Sequence, residues 1–133
     1  MKAYLSMGFG VNSVADYLHL LGQGIKFEAV FCDTGCEWPE TYEYIEYFKS
    51  MHPVTIINAK QYGFPAQRKF HSARMYDWYL ERATIPGRRG RDCSMKWKIQ
   101  PKMNYFERPC WNYISIDAGE SKRVARFKNV GGV

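Results

Sequence analysis

The sequence alternates between short apolar runs and amphipathic runs, with brief connections between them. Uninterrupted apolar runs are typical of buried parallel strands, and the amphipathic runs have the 3.6-residue period of helices. This alternation predicts an α/β fold in which helices cover both faces of a mainly parallel sheet. Strands are predicted at residues 2–7, 26–33, 54–59 and 111–117, and helices at residues 13–21, 39–51, 64–83 and 94–106.

The length of 133 residues predicts a single domain over residues 1–133. Within it, residues 62–92 mix aromatic residues, arginines and a Pro-Gly pair, and we expect a basic, flexible flap there. No apolar run reaches the length of a membrane span, and the N-terminus lacks the apolar stretch of a signal peptide. These features predict a cytoplasmic protein without membrane attachment.

Positive charge is clustered along the chain, whose net charge is +6. Basic residues are concentrated at residues 82–102 and again at residues 122–128. Such clusters favour an anionic ligand or partner, although a solvated surface can have the same composition. Aromatic and basic residues alternate at residues 68–82, which would suit single-stranded nucleic acid or the interface of a homodimer. Packing of these residues under the flap is the alternative.

Two glycines separate the first predicted strand from the first predicted helix, in the segment "SMGFGVNS". Backbone amides beside a glycine can approach a ligand closely, and a helix start offers unpaired amides and a positive dipole end. The segment therefore predicts a phosphate-binding loop. Its residues are Ser6, Gly8, Gly10, Asn12 and Ser13. In the alternative interpretation, Ser13 and Asp16 only cap the helix and the glycines serve a tight turn.

Two well-known nucleotide loops can be compared with this segment. A Walker loop needs Gly-Lys-Ser/Thr, which is not present here. A dinucleotide-binding loop reads Gly-x-Gly-x-x-Gly, and Ser13 stands where its third glycine belongs. Asp33, at the end of the second predicted strand, is close to the place of that motif's ribose-binding acid. An NAD-type or flavin-type Rossmann site is therefore an open alternative.

Four segments, in order, resemble the phosphoadenosine-phosphosulfate (PAPS) reductase family, which belongs to the PP-loop group of adenine-nucleotide alpha hydrolases. They are "SMGFGVNSVA", in the form of short phage-type members, then "FCDTGCEWPETYEYIEYF", "RDCSMKWKIQP" and "SIDAGESKR". The second and third are long and specific, and the four together cover most of the chain. The resemblance implies a three-layer Rossmann-like (HUP/PP-loop) fold with strand order 3-2-1-4.

The resemblance also implies a nucleotide site beyond the carboxyl ends of strands one and four. The glycine loop would wrap the phosphates, with Asp33 and Thr34 near the ribose or base. The residues that would close the anion side are Lys96, Lys98, Glu120 and Arg123. Among these, Lys96 and Arg123 are the expected catalytic cations.

The four cysteines predict free thiols, because the chain is long enough to need no disulfide framework. Cys93 lies in the basic segment 91–98, where cations favour a thiolate. It is the candidate reactive thiol or metal ligand, and packing at a helix start is the alternative. Cys32 and Cys36 have a spacing that differs from a metal knuckle. We therefore expect no metal site made by the protein alone and no iron–sulfur cluster.

The resemblance implies activity on ATP or on a sulfonucleotide, adenylyl sulfate (APS) or PAPS. One reaction is Mg²⁺-assisted attack at the nucleotide α-phosphate with pyrophosphate release. The other is sulfonate transfer to a thiol supplied by a thioredoxin-like partner. The Glu-Cys-Gly-Ile/Leu-His segment of assimilatory reductases does not follow Cys110, so nucleotide binding is implied more strongly than reduction. The alternative is a non-catalytic nucleotide-binding module or a partner in sulfur modification of DNA or RNA.

Overall fold

The computed structural model describes residues 1–89, 91–120, 122 and 123. The strands in this part of the chain are β1 (Lys2–Met7), β2 (Glu28–Cys32), β3 (Thr55–Ile57) and β4 (Cys110–Ile114). The α-helices are α1 (Val11–Gly22), α2 (Pro39–Lys49), α3 (Ala59–Tyr62), α4 (Pro65–Arg68), α5 (Met75–Glu81), α6 (Asp92–Ser94) and α7 (Gln100–Tyr105). A π-helical segment, Met95–Ile99, joins α6 to α7.

The four strands form one parallel sheet in the order β3-β2-β1-β4. In this sheet Ser6 of β1 is level with Val30 of β2 and with Ile114 of β4. The direction of strand addition reverses at β1, because β2 and β3 extend the sheet to one side and β4 to the other. Open α/β sheets bind ligands at such a reversal, in the crevice beyond the carboxyl ends of the strands. The predicted α/β class, parallel sheet and strand order are confirmed.

Alternating side chains on the strands build a separate core on each face of the sheet. On one face, Leu5 packs with Tyr17 of α1 and Phe48 of α2. On the other face, Tyr4 stacks on Phe106, which directly follows α7, with ring centroids 4.3 Å apart. The α1–α2 layer and the α7 layer therefore enclose the sheet between them.

The predicted helix over residues 64–83 is wrong as one element, because α4 and α5 are separated by residues 69–74. Tertiary contacts explain the break. Phe70 within it is buried, and the Met75 amide donates a hydrogen bond of 2.8 Å to the Thr34 carbonyl oxygen. Part of the predicted flap at residues 62–92 therefore packs against the rest of the domain, and its flexibility stays a prediction.

Element boundaries differ from the predicted ones by a few residues. Helix α1 begins at Val11 and not at residue 13, and β4 ends at Ile114 and not at residue 117. None of the helices in the described ranges combines the length and apolar character needed to cross a lipid bilayer. Arg126 and Lys128 of the predicted C-terminal basic cluster lie outside the described residues.

Candidate functional site

The glycine loop leads directly from β1 into α1 and leaves the start of that helix open. The N-cap residue is Gly10, and no side chain caps the helix. The first amides of α1 have no acceptor within the helix, because acceptors four residues earlier lie outside it. The alternative in which Ser13 and Asp16 form a capping box is wrong, since Ser13 is the third residue of the helix.

The hydroxyl of Ser13 shapes the loop from inside. It accepts a hydrogen bond from the Gly8 amide (3.3 Å) and donates one to the Gly10 carbonyl oxygen (3.2 Å). The residue is buried. Ser13 therefore holds the two glycines in one conformation, which fixes the direction of the neighbouring amides.

Phe9 lies between the two glycines, and its ring turns away from the loop into the core. Its φ of 59° is left-handed, an uncommon conformation for a bulky residue. The ring packs edge-on against Phe31 (5.1 Å between centroids) and Phe48 (5.6 Å). Gly8 and Gly10 stay exposed, and a Cβ built at either would meet nothing within 4 Å. The outer side of the loop is therefore accessible.

Ser6 and Asn12 lie at the two ends of the loop. The Ser6 hydroxyl donates a hydrogen bond of 2.9 Å to Asn112 Oδ1 and so links β1 to β4 at the crevice. Asn12 is exposed on the first turn of α1. The side chains at this position are neutral, so charge for binding an anion must come from elsewhere.

Asp33 and Thr34 follow β2 and form a tightly bonded turn. Asp33 Oδ1 accepts hydrogen bonds of 2.8 Å from both the Gly35 amide and the Tyr42 hydroxyl. The Thr34 hydroxyl oxygen accepts one from the Cys36 amide (3.3 Å). Burial and the bond to Asp33 raise the pKa of Tyr42 to about 12, so its hydroxyl stays a donor at neutral pH. The two predicted ribose-side residues thus have structural roles in this turn.

The turn also fixes α5 against the sheet. Gly35 has a φ of +74°, and a Cβ there would lie 2.7 Å from Arg74 Cγ and 3.1 Å from Arg74 Cα. Only a residue without a side chain allows this approach. The amide of Tyr76 in α5 also donates a hydrogen bond of 3.3 Å to Cys36 Sγ. The segment after β2 and the segment before α5 are therefore built as one unit.

Three of the four Phe, Tyr and Trp residues of the 68–82 segment pack within the protein, whereas Tyr76 is exposed. Phe70 and Tyr79 are buried, and the Trp97 indole N–H donates a hydrogen bond of 3.2 Å to the Tyr79 hydroxyl. The Arg82 guanidinium lies 3.4 Å from the centroid of the Trp78 ring. Such rings offer less surface for stacking bases than the sequence pattern suggests. Nucleic-acid binding stays a prediction.

The basic segment 91–98 contains the other predicted site residues. Lys98 Nζ lies 3.9 Å from Glu37 Oε1, a long ion pair between two partly exposed side chains. Lys96 is exposed, and its carbonyl oxygen accepts a hydrogen bond of 3.1 Å from Gln67 Nε2. Cys93 is exposed and has a free thiol. Lys98 is therefore joined to the segment after β2 through Glu37.

Pro101 leaves two carbonyl groups of the π-helical segment without a backbone donor, and one of them attaches the segment to β2. Proline has no N–H, so it can donate to neither the Trp97 nor the Lys96 carbonyl, four and five residues earlier. Other groups take these places: the Cys32 thiol donates to the Trp97 carbonyl (2.9 Å), and Gln67 donates to that of Lys96. Burial raises the pKa of Cys32 to about 12, which keeps its thiol protonated.

Lys102 lies near the predicted site residue Lys98 and was not itself predicted to belong to the site. It is partly buried, one helical turn beyond Lys98, with the two ammonium groups and the Cys32 thiol within electrostatic range of each other. Burial lowers the pKa of Lys102 to about 8, and the positive charge of Lys98 acts in the same direction. In the sequence, the i, i+4 spacing indicates that Lys102 and Lys98 lie on the same face of a helix, but it does not show that Lys102 is partly buried.

Glu120 and Arg123 follow β4 and are paired with each other. Arg123 Nη1 lies 3.4 Å from Glu120 Oε2, which also accepts a hydrogen bond of 3.1 Å from the Asp117 amide. Within the described ranges, neither residue makes a hydrogen bond to the glycine loop. The structure therefore brings the loop, the Asp33 turn and Lys98 to one edge of the sheet, and contact between Arg123 and the loop stays a prediction.

Ser115 gives a further signal at this edge. It comes directly after β4, and the register of β1 and β4 puts it beside the start of the glycine loop. Its hydroxyl oxygen is buried and has no hydrogen-bond partner within the described part of the chain. Buried polar groups are normally satisfied, so an orphan hydroxyl at this position points to a ligand or an ordered water.

A cavity of about 300 Å³ lies elsewhere, between α1 and β4. Asp16 and His19 of the helix, Gln23 at its C-cap and Tyr113 of the strand line it. Tyr113 belongs to the core on the α1 face of the sheet, and the cavity does not include the glycine loop. It is therefore separate from the candidate site.

The residues present do not form a ligand set for an iron–sulfur cluster. The structure describes all four cysteines, and among the residues it describes no three His, Cys, Asp or Glu side chains gather in a way that could hold a metal ion. Mg²⁺ usually binds nucleotides through phosphate oxygens and one or two carboxylates, so it needs no such cluster.

Comparisons with known proteins give no further guide to this site. No protein-family model, no curated protein and no solved structure matches the chain. The sequence motifs and the geometry of the site are therefore the basis for a functional proposal.

Proposed function

We propose that this protein binds an adenine nucleotide as a short PP-loop protein similar to PAPS reductases, with the nucleotide phosphates on the glycine loop. One observation carries the proposal: an uncapped twelve-residue helix begins at an exposed glycine loop where the strand order of a parallel sheet reverses. Backbone amides and the positive end of the helix dipole favour a phosphate group at such a place.

Three details support phosphate as the ligand of the loop. Phe9 is directed into the core, so the outer side of the loop is open. Ser13 bonds inward to Gly8 and Gly10, so the loop is shaped before any ligand arrives. The unpartnered hydroxyl of Ser115 supplies one more donor beside the loop. A preorganised site loses less entropy on binding than a mobile one.

The neighbouring groups give the proposed site its remaining parts. The ribose or base would lie by the turn of Asp33 and Thr34, at the end of the adjacent strand β2. Lys98 is next to that turn through Glu37 and would supply charge for a phosphate or sulfonate oxygen. Lys96, Arg123 and Glu120 would close the site from the far side, as the resemblance implies.

Two reactions remain open for a bound nucleotide. In attack at the α-phosphate, fixed amides and lysines would stabilise the developing negative charge, with Mg²⁺ as charge-neutralising ion. In sulfonate transfer, the same groups would hold the leaving nucleotide while a thiol attacks sulfur. The thiol would come from Cys93 or from a thioredoxin-like partner. A binding module without turnover fits the same geometry. Two assays separate the three: pyrophosphate release from ATP, and sulfite release from a sulfonucleotide with added thioredoxin, whose second thiol displaces the sulfite and closes a disulfide.

The test of binding is a thermal-shift panel of ATP, APS, PAPS and NAD on the full chain. A ligand at a concentration of about 100 times its Kd should raise the free energy of unfolding by about 2.7 kcal/mol. For a domain of this size, this raises the melting temperature by about 10 °C. The decisive variant is Gly10→Val, because a Cβ at Gly10 meets no other atom yet blocks the loop. Gly22→Val is the matched control, since Gly22 is equally open at the far end of α1.

We expect Gly10→Val to weaken binding of the preferred nucleotide at least tenfold, while Gly22→Val binds like the wild type. A preference for ATP, APS or PAPS over NAD is expected. Equal stabilisation of both glycine variants, or no response to any adenine nucleotide, would refute the proposal.

A further inference from the structure

An apolar strip is exposed on the outer surface of the α1–α2 layer. Its members are Val11, Leu18 and Leu21 of α1, Tyr44 and Tyr47 of α2, and Met51 just after α2. Their spacings of three, four and seven residues place each set along one side of its helix. The rings of Tyr44 and Tyr47 lie 6.4 Å apart between centroids. Single exposed apolar residues are common, whereas a contiguous set is typical of an interaction surface.

The two halves of the strip lie on either side of the groove between α1 and α2. Asp16 of α1 faces the cavity next to Tyr113 of β4. Leu18 is two residues further on, about 200° around the helix, and so lies on the opposite flank. That flank is turned toward α2, because β4 and the strands joined by α2 lie on opposite sides of β1. From the other side, Tyr44 contacts Phe9, which precedes α1, at 6.4 Å between ring centroids.

Unpaired carboxylates border the strip on α2. Glu40 and Glu43 are exposed and lie one turn before Tyr44 and Tyr47, so each is next to a tyrosine on the helix surface. Glu46 is exposed as well. In the part of the chain that the structure describes, none of the three glutamates makes an ion pair or a side-chain hydrogen bond. The border of the strip is therefore negatively charged and open to a cationic partner.

This negative charge is opposite in sign to that of the whole protein. The sequence of α1 contains no Lys or Arg, and that of α2 contains Lys49 alone, whereas the net charge of the chain is +6. Two copies meeting through the strip would bring two negative borders together, and an anionic membrane would be repelled in the same way. A partner rich in lysine or arginine would be attracted.

We infer that the groove between α1 and α2 binds an amphipathic helix of a partner protein, whose apolar side covers the strip and whose basic residues pair with Glu40, Glu43 and Glu46. Such recognition uses apolar anchors one turn apart, and tyrosines are enriched in interfaces of this kind. Helix α1 has 12 residues, so the groove is about 18 Å long and fits a helix of about 12 residues. The inference does not depend on nucleotide binding.

The test uses a defined peptide with the full-length protein. The probe is a fluorescent peptide of about 14 residues, with leucines at helical spacing and lysines elsewhere, and binding is followed by fluorescence anisotropy. One control peptide has the same residues in scrambled order, and a second has glutamate in place of lysine. Leu18→Ser and Tyr47→Ser each remove one member of the strip. Ile85→Ser is the matched control, because Ile85 is exposed and lies outside the strip.

We expect the leucine–lysine peptide to bind the wild type and Ile85→Ser alike, and Leu18→Ser and Tyr47→Ser at least about fivefold more weakly. Glu43→Lys should weaken binding several-fold, and Lys49→Glu should strengthen it. Both control peptides should bind the wild type at least about tenfold more weakly. No binding to the wild type, equal binding to the two strip variants, or equal affinity for the lysine and glutamate peptides would overturn the inference.

Two other occupants of the groove would give different results. A second copy would appear as a wild-type dimer in sedimentation that Leu18→Ser dissociates. The residues that follow Arg123 include Phe127 between two basic residues. If they fill the groove, the peptide would bind full-length Phe127→Ser but not the wild type. Either result would overturn the inference, whereas a monomeric wild type that binds the peptide directly would support it.

Discussion

Replacing Lys102 with methionine should make the ligand-free protein more stable, although it removes a charged group from a folded domain. Burial lowers the pKa of Lys102 from 10.5 to about 8. A pKa difference of about 2.5 between the unfolded and folded states corresponds to roughly 3 kcal/mol. The ammonium keeps some solvent contact, so we expect about 2 kcal/mol of stabilisation at pH 7.

Proton linkage sets the direction in which pH changes the stability difference between Lys102→Met and the wild type. Below pH 8 the lysine is protonated in both states, and the folded state bears the full cost of the buried charge. Between pH 8 and pH 10.5 the folded protein loses the proton first, and the cost disappears. The stability advantage of Lys102→Met should therefore be constant up to about pH 8 and shrink above it. Cys32 acts in the opposite direction above pH 9. Because Lys102 lowers the pKa of Cys32, this effect is larger in Lys102→Met and adds to the shrinkage of its advantage.

The assay is urea denaturation of the wild type and Lys102→Met at pH 6.5, 7.5, 8.5 and 9.5, in reducing buffer without phosphate. Lys26→Met serves as the control, because removing an exposed charge should change stability by less than about 0.5 kcal/mol. A Lys102→Met protein that is less stable at pH 7, or an advantage that does not shrink toward pH 9.5, would refute the account of Lys102 as a buried, uncompensated charge.

Substitutions at two further positions test the turns that frame the site. Gly35→Ala should lower the free energy of unfolding by about 2–3 kcal/mol, because residue 35 has a left-handed backbone and a Cβ there would meet the backbone of Arg74. Unchanged stability in urea would contradict this packing. Phe9→Ala should cost about 2 kcal/mol through loss of the contacts with Phe31 and Phe48. Phe9→Gly should cost about 1 kcal/mol less than Phe9→Ala, because glycine tolerates the φ of 59°. The two Phe9 variants should then unfold at clearly different urea concentrations, and the reverse order would be inconsistent with a strained loop.

The sheet was predictable because its signals are local. Apolar runs such as that of β2 and the glycines after β1 can be read from a few neighbouring residues, and the resemblance supplied the strand order. The short helices α3, α4 and α5 were not predictable in this way. Their limits depend on distant contacts, such as the amide of Met75 bonded to the Thr34 carbonyl. Isolated helices of this length are unstable, so tertiary packing decides where they begin and end.

In the candidate site, too, the features set by neighbouring residues were predictable and those set by distant contacts were not. The glycine loop and the Asp33 turn could be located from sequence, because glycines and turn residues mark such positions directly. The orientation of Phe9 could not, since one left-handed φ decides whether the ring closes the loop or enters the core. The burial of Lys102 could not either, because it follows from the attachment of the π-helical segment to Cys32. Both features come from tertiary packing, which a pattern of residue types does not encode.

The pairing of β1 with β4 has a consequence for how the protein is made. Ser6 and Asn112, bonded across these strands, are 106 residues apart in the chain. During translation β1, α1, β2 and α2 leave the ribosome long before β4 is synthesised, and domains emerge N-terminal end first at about 5–20 residues per second. The nascent chain therefore carries an open edge of β1 for several seconds, and one wall of the crevice at the carboxyl ends of the strands is added only when β4 arrives. The proposed nucleotide would thus favour the finished protein over its translation intermediates.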